Sequence, residues 1–526
     1  MNRIAASTAL AIAMAFCLGG CTAPEAPVPQ ARASTSEHFD YDKVVDAVVD
    51  RYDLPGIAVG VIDHGKVVYK GTRGKLKSGQ PINADTLFKI ASNTKAMTVT
   101  VLARLAQQGK LKWDEPVTTY LPDFAMHDPW VTEHMRVGDL VAHHSGMRQY
   151  AGDLMLWPTP NKFTPADVIR GLRYIKPTYT YSSGYSYDNV LFVVAGQVAA
   201  KAGGASYAEL MRREIFQPLG MTRCRIGTWN REKVGNVALP HTRRDGKNVI
   251  IDGDNIPGDV IHPLTMDAAG GVRCSLNDML TWSMNWVAPT AKQLQWLSPE
   301  QRRKEWQIYT PVHVSERQVR WNNRRFYGNA HGWFMGDADG HLVVEHTGVL
   351  SGMYSAVTLL PDMQSGFVIL INASAGKART VLKEVLLKHF TAPGEGRTVA
   401  SYADELAQEE KAEKSAATDT SAATPAAAQA LDGKLGVWRD PWFGKVRICP
   451  KDGVVRIASL KSPTMTGQVM RLDGRYMVKW DHSGADAWLE FSSASGGKLH
   501  MARVDPDSWG SHDFKDLAFT RVHACK

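Results

Sequence analysis

Ser92 and Lys95 stand one helical turn apart in Phe88-Lys89-Ile90-Ala91-Ser92-Asn93-Thr94-Lys95, at the head of an apolar segment. Residues i and i+3 of a helix share a face, so the lysine amine can reach the serine hydroxyl and take its proton. That pairing makes a serine nucleophile without histidine. Partial burial and a neighbouring cation lower a lysine pKa toward neutrality, which frees some of the amine to act as base. Backbone N–H groups at the same helix terminus point toward the site, where they can stabilise an oxyanion.

Spacing alone is weak evidence. Average composition gives about two Ser-x-x-Lys matches by chance in a chain this long, and three are present: Ser92/Lys95, Ser374/Lys377 and Ser495/Lys498. Context separates them. Ser495 falls in a Gly-rich turn and Ser374 between a strand and a helix, whereas Ala96, Met97, Val99, Val101, Leu102, Leu105 and Ala106 continue from Ser92 at largely helical spacing to a stop at Gly109. A serine there also serves as an ordinary helix N-cap, so the choice rests on the rest of the chain.

The elements that must hold this pair follow from periodicity. Residues 39–52 carry Val44, Val45, Ala47, Val48 and Val49 on or near one face, which predicts an amphipathic helix. Strand-like runs at 56–63 and 67–71 meet at His64-Gly65-Lys66, a hairpin signal. Helical segments are expected at 137–144, 166–175, 190–201, 207–216 and 276–286, with irregular loops between them. Short apolar runs at 333–335, 342–346, 354–360 and 367–372 predict an antiparallel meander, closed by a helix at 378–389. A sheet built from both ends of a domain, with a helical insertion between, is an α/β arrangement with its cleft at the junction. Residues 401–414 are charged and helix-prone, and 415–430 are low in complexity, which suggests a linker. Short β runs beyond it, broken by Lys451-Asp452-Gly453 and Leu472-Asp473-Gly474, suggest a small barrel or sandwich.

The 526 residues suffice for two or three domains. Net charge is +8, but the signs are mixed and no long Lys/Arg block occurs, which argues against nucleic-acid binding. Arg3 followed by an apolar stretch resembles a signal peptide over 1–20, and Leu18-Gly19-Gly20-Cys21 resembles a bacterial lipobox, with Cys21 as the lipidated first residue. Residues 21–36 then form a flexible tether. Cys224, Cys274, Cys449 and Cys525 match no zinc pattern; in an exported chain the linker divides them into Cys224 with Cys274 and Cys449 with Cys525, although sequence alone does not show that the partners approach.

Three further stretches stand in a telling order: Val141-Ala142-His143-His144-Ser145-Gly146-Met147, Tyr185-Ser186-Tyr187-Asp188-Asn189 and Glu345-His346-Thr347-Gly348. With Ser92/Lys95 they resemble the serine hydrolases of the class C β-lactamase, D,D-carboxypeptidase and D-aminopeptidase group (peptidase S12, β-lactamase-related, esterases included). The resemblance implies a β-lactamase/transpeptidase-like α/β fold over 37–392: an antiparallel sheet flanked by terminal helices, plus a helical insertion. The helix-prone and low-complexity linker then spans 393–432, and Gly436-Val437-Trp438, which is similar to the lipocalin Gly-x-Trp, implies a small lipocalin-like β domain over 433–526. An ordinary buried tryptophan explains Trp438 equally well.

By the same resemblance Ser92 is the acylated nucleophile, Lys95 its base and Tyr187 a second proton carrier whose phenol pKa is lowered by nearby cations. Asn189, His346, Thr347, Gly348 and Val349 contact substrate, the last through its N–H in an oxyanion hole with that of Ser92. Gly348 lets substrate lie against the strand edge, and His143 and His144 are structural. His346 stands where the family's Lys-Thr-Gly box has lysine, so the permanent cation for a substrate carboxylate is missing. Small esters or peptides, D-residue peptides among them, are therefore the expected substrates, with β-lactamase or D,D-carboxypeptidase activity as the alternative. A penicillin-recognising sensor without turnover, or a ligand-binding lipoprotein, is the non-enzyme rival. Neither a Gly-x-Ser-x-Gly elbow nor a His-Glu-x-x-His motif is present. No cofactor or metal is called for. The expected partners are a small ester, peptide or β-lactam-like substrate and a membrane reached through the N-terminal lipid, with the protein facing the periplasm. Palmitate labelling is expected on the wild-type protein and not on Cys21→Ser; a mature chain with a free N-terminal amine would refute the lipobox reading.

Overall fold

The computed structural model describes residues 39–251, 259–414, 418–482, 485–492, 497–505 and 514–525. The expected signal peptide, tether and Cys21, and also Ser495, lie outside the described residues. Asp40–Lys526 forms one compact unit.

Its first part is built on an eight-stranded antiparallel sheet. Gly56–Asp63 is apolar and buried along nearly its whole length, as a strand flanked on both sides must be. It pairs with Lys66–Gly74 on one edge and, on the other, with the distant Ser365–Ile371, Ile57 lying opposite Ile371 and Val61 opposite Phe367. From there the sheet continues through Met353–Leu360, His341–Leu350, Phe334–Ala338, Tyr327–Asn329 and Thr310–Pro311. Tyr41–Tyr52, N-capped by the Asp40 carboxylate, packs with Gly376–Thr391 against this sheet. Leu276–Val287 also covers sheet strands, with Leu280 filling the space that Gly60 leaves.

The helical insertion carries Thr94–Gln107, Pro165–Leu172, Asn189–Gly203 and Tyr207–Met211, close to expectation. Residues 137–144 differ, forming only a 3-10 turn at Gly138–Val141. After this turn the backbone bonds across to another loop: His143 has φ 55°, and the His143 and His144 carbonyls accept from the N–H groups of Ser186 and Ser182. A further difference concerns the expected linker. Val399–Lys414 is a helix docked on the first part, with Tyr402 buried, Arg51 paired to Asp404 and Arg320 paired to Glu405 and Glu409.

The C-terminal part is an eight-stranded antiparallel barrel running from Gly436–Asp440 to Ala518–His523, closed by pairing of Thr466–Leu472 with Arg475–Trp480. Closure removes free sheet edges. Trp438, Val446, Ile457, Val478, Leu499 and Phe519 are buried at its core, and the Trp438 indole donates to the Lys434 carbonyl.

Both expected disulfides form, Cys224–Cys274 and Cys449–Cys525. The first bears on the site, because Cys274 pairs with Phe88 and the neighbouring Val272 carbonyl accepts from Ile90 N–H, two residues before Ser92. Replacing Cys224 and Cys274 together with alanine should cost about 2–4 kcal/mol in urea unfolding; an unchanged midpoint and slope would show that the bridge is dispensable.

Candidate active site

Ser92 lies in a 3-10 turn, Ala91–Asn93, that leads directly into the helix Thr94–Gln107. Ala91 has φ 48°, a conformation a residue with a Cβ adopts at a cost, and it bends the chain so that the serine projects at the head of the helix. Two contacts hold the bend. The Ser355 hydroxyl donates to the Ile90 carbonyl (2.7 Å) and accepts from the Asn93 amide (2.8 Å). Gly348 lies so near that a Cβ on it would come within 2.2 Å of the Ile90 oxygen. The glycine is therefore demanded by the packing of strand on turn, a reason the sequence reading did not include.

Lys95 is fully buried, and its Nζ meets three oxygens: Asn189 Oδ1 at 2.8 Å, the Ala269 carbonyl at 2.8 Å and Ser92 Oγ at 3.1 Å. Two of these can only accept. A neutral amine has two hydrogens, which the amide and the carbonyl take up, so its lone pair is left for the Ser92 hydroxyl to donate into. Burial lowers the Lys95 pKa to about 7, against an opposing pull from Asp153. The amine also lies 4.9 Å from the Tyr187 ring centroid and 5.1 Å from that of Phe192.

Asn189 opens the helix Asn189–Gly203, and its Nδ2 donates to Asp153 Oδ2 at 2.8 Å. That bond turns the amide oxygen toward Lys95. Asp153 was not singled out from the sequence: it sits in a 3-10 turn with no periodic signal, and only the fold brings it beside Asn189. The Ala269-Gly270-Gly271 stretch supplies a carbonyl rather than a side chain, which no residue type reveals.

Tyr187 is hydrogen-bonded to Ser92, but burial raises its pKa above the ordinary phenol range. The expectation of a lowered phenol pKa is thus overturned; desolvation outweighs the serine bond, and the phenol keeps its proton at neutral pH. Its ring is wedged between His143 (centroids 4.3 Å) and Tyr150 (5.7 Å). His143 Nδ1 accepts from Asp188 N–H, and Ser145 donates to the buried Asp188 carboxyl, so the His-Ser-Gly stretch braces the Tyr187 segment from behind.

His346 is buried between Phe334 and Tyr187 (ring centroids 5.3 and 6.5 Å). Nδ1 lies 2.7 Å from its neighbour's carbonyl, Thr347 O, to which it donates, and Nε2 is sealed from solvent. Burial, with Lys95 nearby, lowers its pKa to about 3, so the ring is uncharged at physiological pH. Thr347 and Val349, both half-buried, alternate along the strand with His346 and Gly348. Among the described residues, no strand pairs with it beyond Glu345 on the side away from Met353–Leu360. Among the described residues no group of three or more His, Cys, Asp or Glu is placed to hold a metal.

The profile of the family described as Beta-lactamase matches residues 41–389, more than half of the chain. The chain belongs to this family. It is 25% identical over 374 residues to "Unguisins hydrolase ungD'" of Aspergillus campestris, covering 67% of this chain and 64% of that protein. Over 200 residues it is 30% identical to "Esterase EstB" of Burkholderia gladioli, covering 35% of this chain and 50% of the esterase. Over 249 residues it is 25% identical to "Beta-lactamase" of Escherichia coli, covering 47% and 60%. The chain thus spans less than two thirds of each of these relatives. The octameric penicillin-binding protein homologue from Pyrococcus abyssi shares the fold, with a TM-score of 0.57 at 18% identity over 91% of this chain and 99% of that one.

With Lys95 as the base, kcat/KM should fall about tenfold per pH unit below about 7 and level off above it. Asp153→Asn removes the charge that raises the Lys95 pKa, so the limb should move to lower pH; a limb unmoved by this change and by Lys95→Arg would assign it to another group.

Proposed function

We propose that this protein is a serine hydrolase that works through an acyl-enzyme on Ser92 and cleaves small esters or peptides, D-residue peptides included. The observation that carries the reading is the saturated amine: with two obligate acceptors on Lys95, its lone pair is directed at the Ser92 hydroxyl. Lys95 takes the proton as Ser92 Oγ attacks the substrate carbonyl. The N–H groups of Ser92 and Val349 hold the oxyanion. The tetrahedral intermediate collapses as Tyr187, neutral and hydrogen-bonded to Ser92, gives its proton to the leaving group and is reprotonated from Lys95. Water then attacks the acyl-enzyme along the same path in reverse. Asn189 holds Lys95 and one end of the substrate, and Thr347 and Gly348 flank it along the strand.

Substrate preference follows from charge. A neutral, sealed His346 offers no cation to a carboxylate, and a charge-assisted hydrogen bond is roughly twice as strong as a neutral one. This favours neutral esters and small peptides over β-lactams, and the names of the esterase and hydrolase relatives accord with it. The two disulfides support export to an oxidising compartment, with lipid anchoring at Cys21 on the membrane.

A fluorophosphonate probe should label Ser92 in the wild type and fail on Ser92→Ala, and p-nitrophenyl esters or D-amino acid peptides should be cleaved faster than nitrocefin. Labelling that persists in Ser92→Ala would end the mechanism. Nitrocefin turned over faster than every ester and peptide would mean that another cation reads the carboxylate, Arg379 being placed for it by its bond to the Gly348 carbonyl (3.0 Å).

A further inference from the structure

The barrel touches the first part of the chain at a revealing place. Lys461 pairs with Asp167 (2.8 Å), the Lys461 carbonyl accepts from Lys162 N–H (2.7 Å), and Phe443 packs on Phe163 (centroids 5.7 Å). These contacts fasten the barrel to the segment around the helix Pro165–Leu172. A separate contact reaches nearer the chemistry. Asp516, on the barrel, pairs with Arg148 at 2.5 Å, the two side chains only 12% and 17% exposed. The Asp516 carbonyl is itself held by the Trp442 indole (3.2 Å).

Arg148 begins a short, tightly turned segment, in which Ala151 N–H bonds the Arg148 carbonyl and Asp153 N–H bonds the Tyr150 carbonyl. Tyr187 and Asn189 are both touched from this segment. Ser186 Oγ donates to the Met147 carbonyl (2.5 Å), and Tyr150 N–H donates to the Tyr187 carbonyl (2.9 Å). The Tyr150 ring meets Tyr187 edge-on, and Asp153 turns Asn189 toward Lys95. We infer that the barrel is a working part of the active site, and that Arg148 and Asp516 are positioning residues that hold residues 147–153 against Tyr187 and Asn189. This rests on the proposed roles of Tyr187 and Asn189. A half-buried ion pair is well suited to the task, because removing one partner leaves the other charge desolvated and drives its segment to rearrange. Displacements of about 1 Å in a reacting group cost up to about a hundredfold in rate.

The test uses the full chain and p-nitrophenyl butyrate, after fluorophosphonate labelling of the wild type has established Ser92 as the nucleophile. Asp516→Asn should lower kcat roughly tenfold or more while KM changes less than about threefold, and the fluorophosphonate labelling rate should fall with kcat. The charge reversal Arg148→Asp with Asp516→Arg should recover most of the loss, which excludes misfolding as its cause. Lys461→Ala loosens the same interface away from residues 147–153 and should leave kcat near wild type. Wild-type kcat and labelling rate in Asp516→Asn, or an equal loss in Lys461→Ala, would overturn the inference while leaving Ser92 chemistry intact; a wild type that does not label would instead overturn the mechanism itself.

Discussion

The constraint on which the site depends is the desolvation of one amine. Holding Lys95 in the core lowers its pKa from 10.5 to about 7, which corresponds to on the order of 5 kcal/mol between its charged and neutral forms. Such a group is tolerable only if every polar direction around it is met. Three segments far apart in the chain converge to do so: the turn carrying Ser92, the start of Asn189–Gly203 and the short helix Asp267–Gly270. The apolar bodies of these helices pack together and fix the oxygens at bonding distance. Hydrophobic burial thus sets the geometry, and that geometry sets the basicity.

The same burial gives the neighbouring groups complementary roles. His143, His346 and Tyr187 are all held uncharged by desolvation, so Lys95 is the group among these four that changes charge near neutral pH. A tyrosine that keeps its proton is a donor and relay rather than a second base. The expectation of a lowered phenol pKa weighed the attraction of nearby cations and left out the larger cost of taking a phenolate out of water.

Periodic elements were legible from the sequence because their signal is local. The buried run of Gly56–Asp63, the helix behind Ser92 and the meander after residue 333 carry their burial in their own residue order, and linker position suggested the cysteine pairs without showing that they approach. What escaped was whatever depends on two remote segments meeting. Residues 137–144 have helical composition, yet the His143 and His144 carbonyls at their end are claimed by Ser186 and Ser182. Asp153 has no neighbours in sequence that hint at its bond to Asn189. Gly348 was noticed for its place in a motif, but its reason, the Ile90 carbonyl, lies more than two hundred residues earlier. The helix Val399–Lys414 was legible as a helix, while its docking rests on arginines at 51 and 320 that no local pattern connects to it.

The pairing of Gly56–Asp63 with Ser365–Ile371 bears on how the molecule comes into being. The strand made first is flanked in the finished sheet by one of the last made, and the Ser92 turn is wedged by a glycine that arrives only with residue 348. A nascent chain therefore carries Ser92 long before it owns the surface that packs against its turn. Contacts so distant along the chain are slow to form because loop closure precedes any reward. The surface around Ser92 is thus incomplete until synthesis has passed the last sheet strand, and a chain stopped short of it would hold the serine without its wedge.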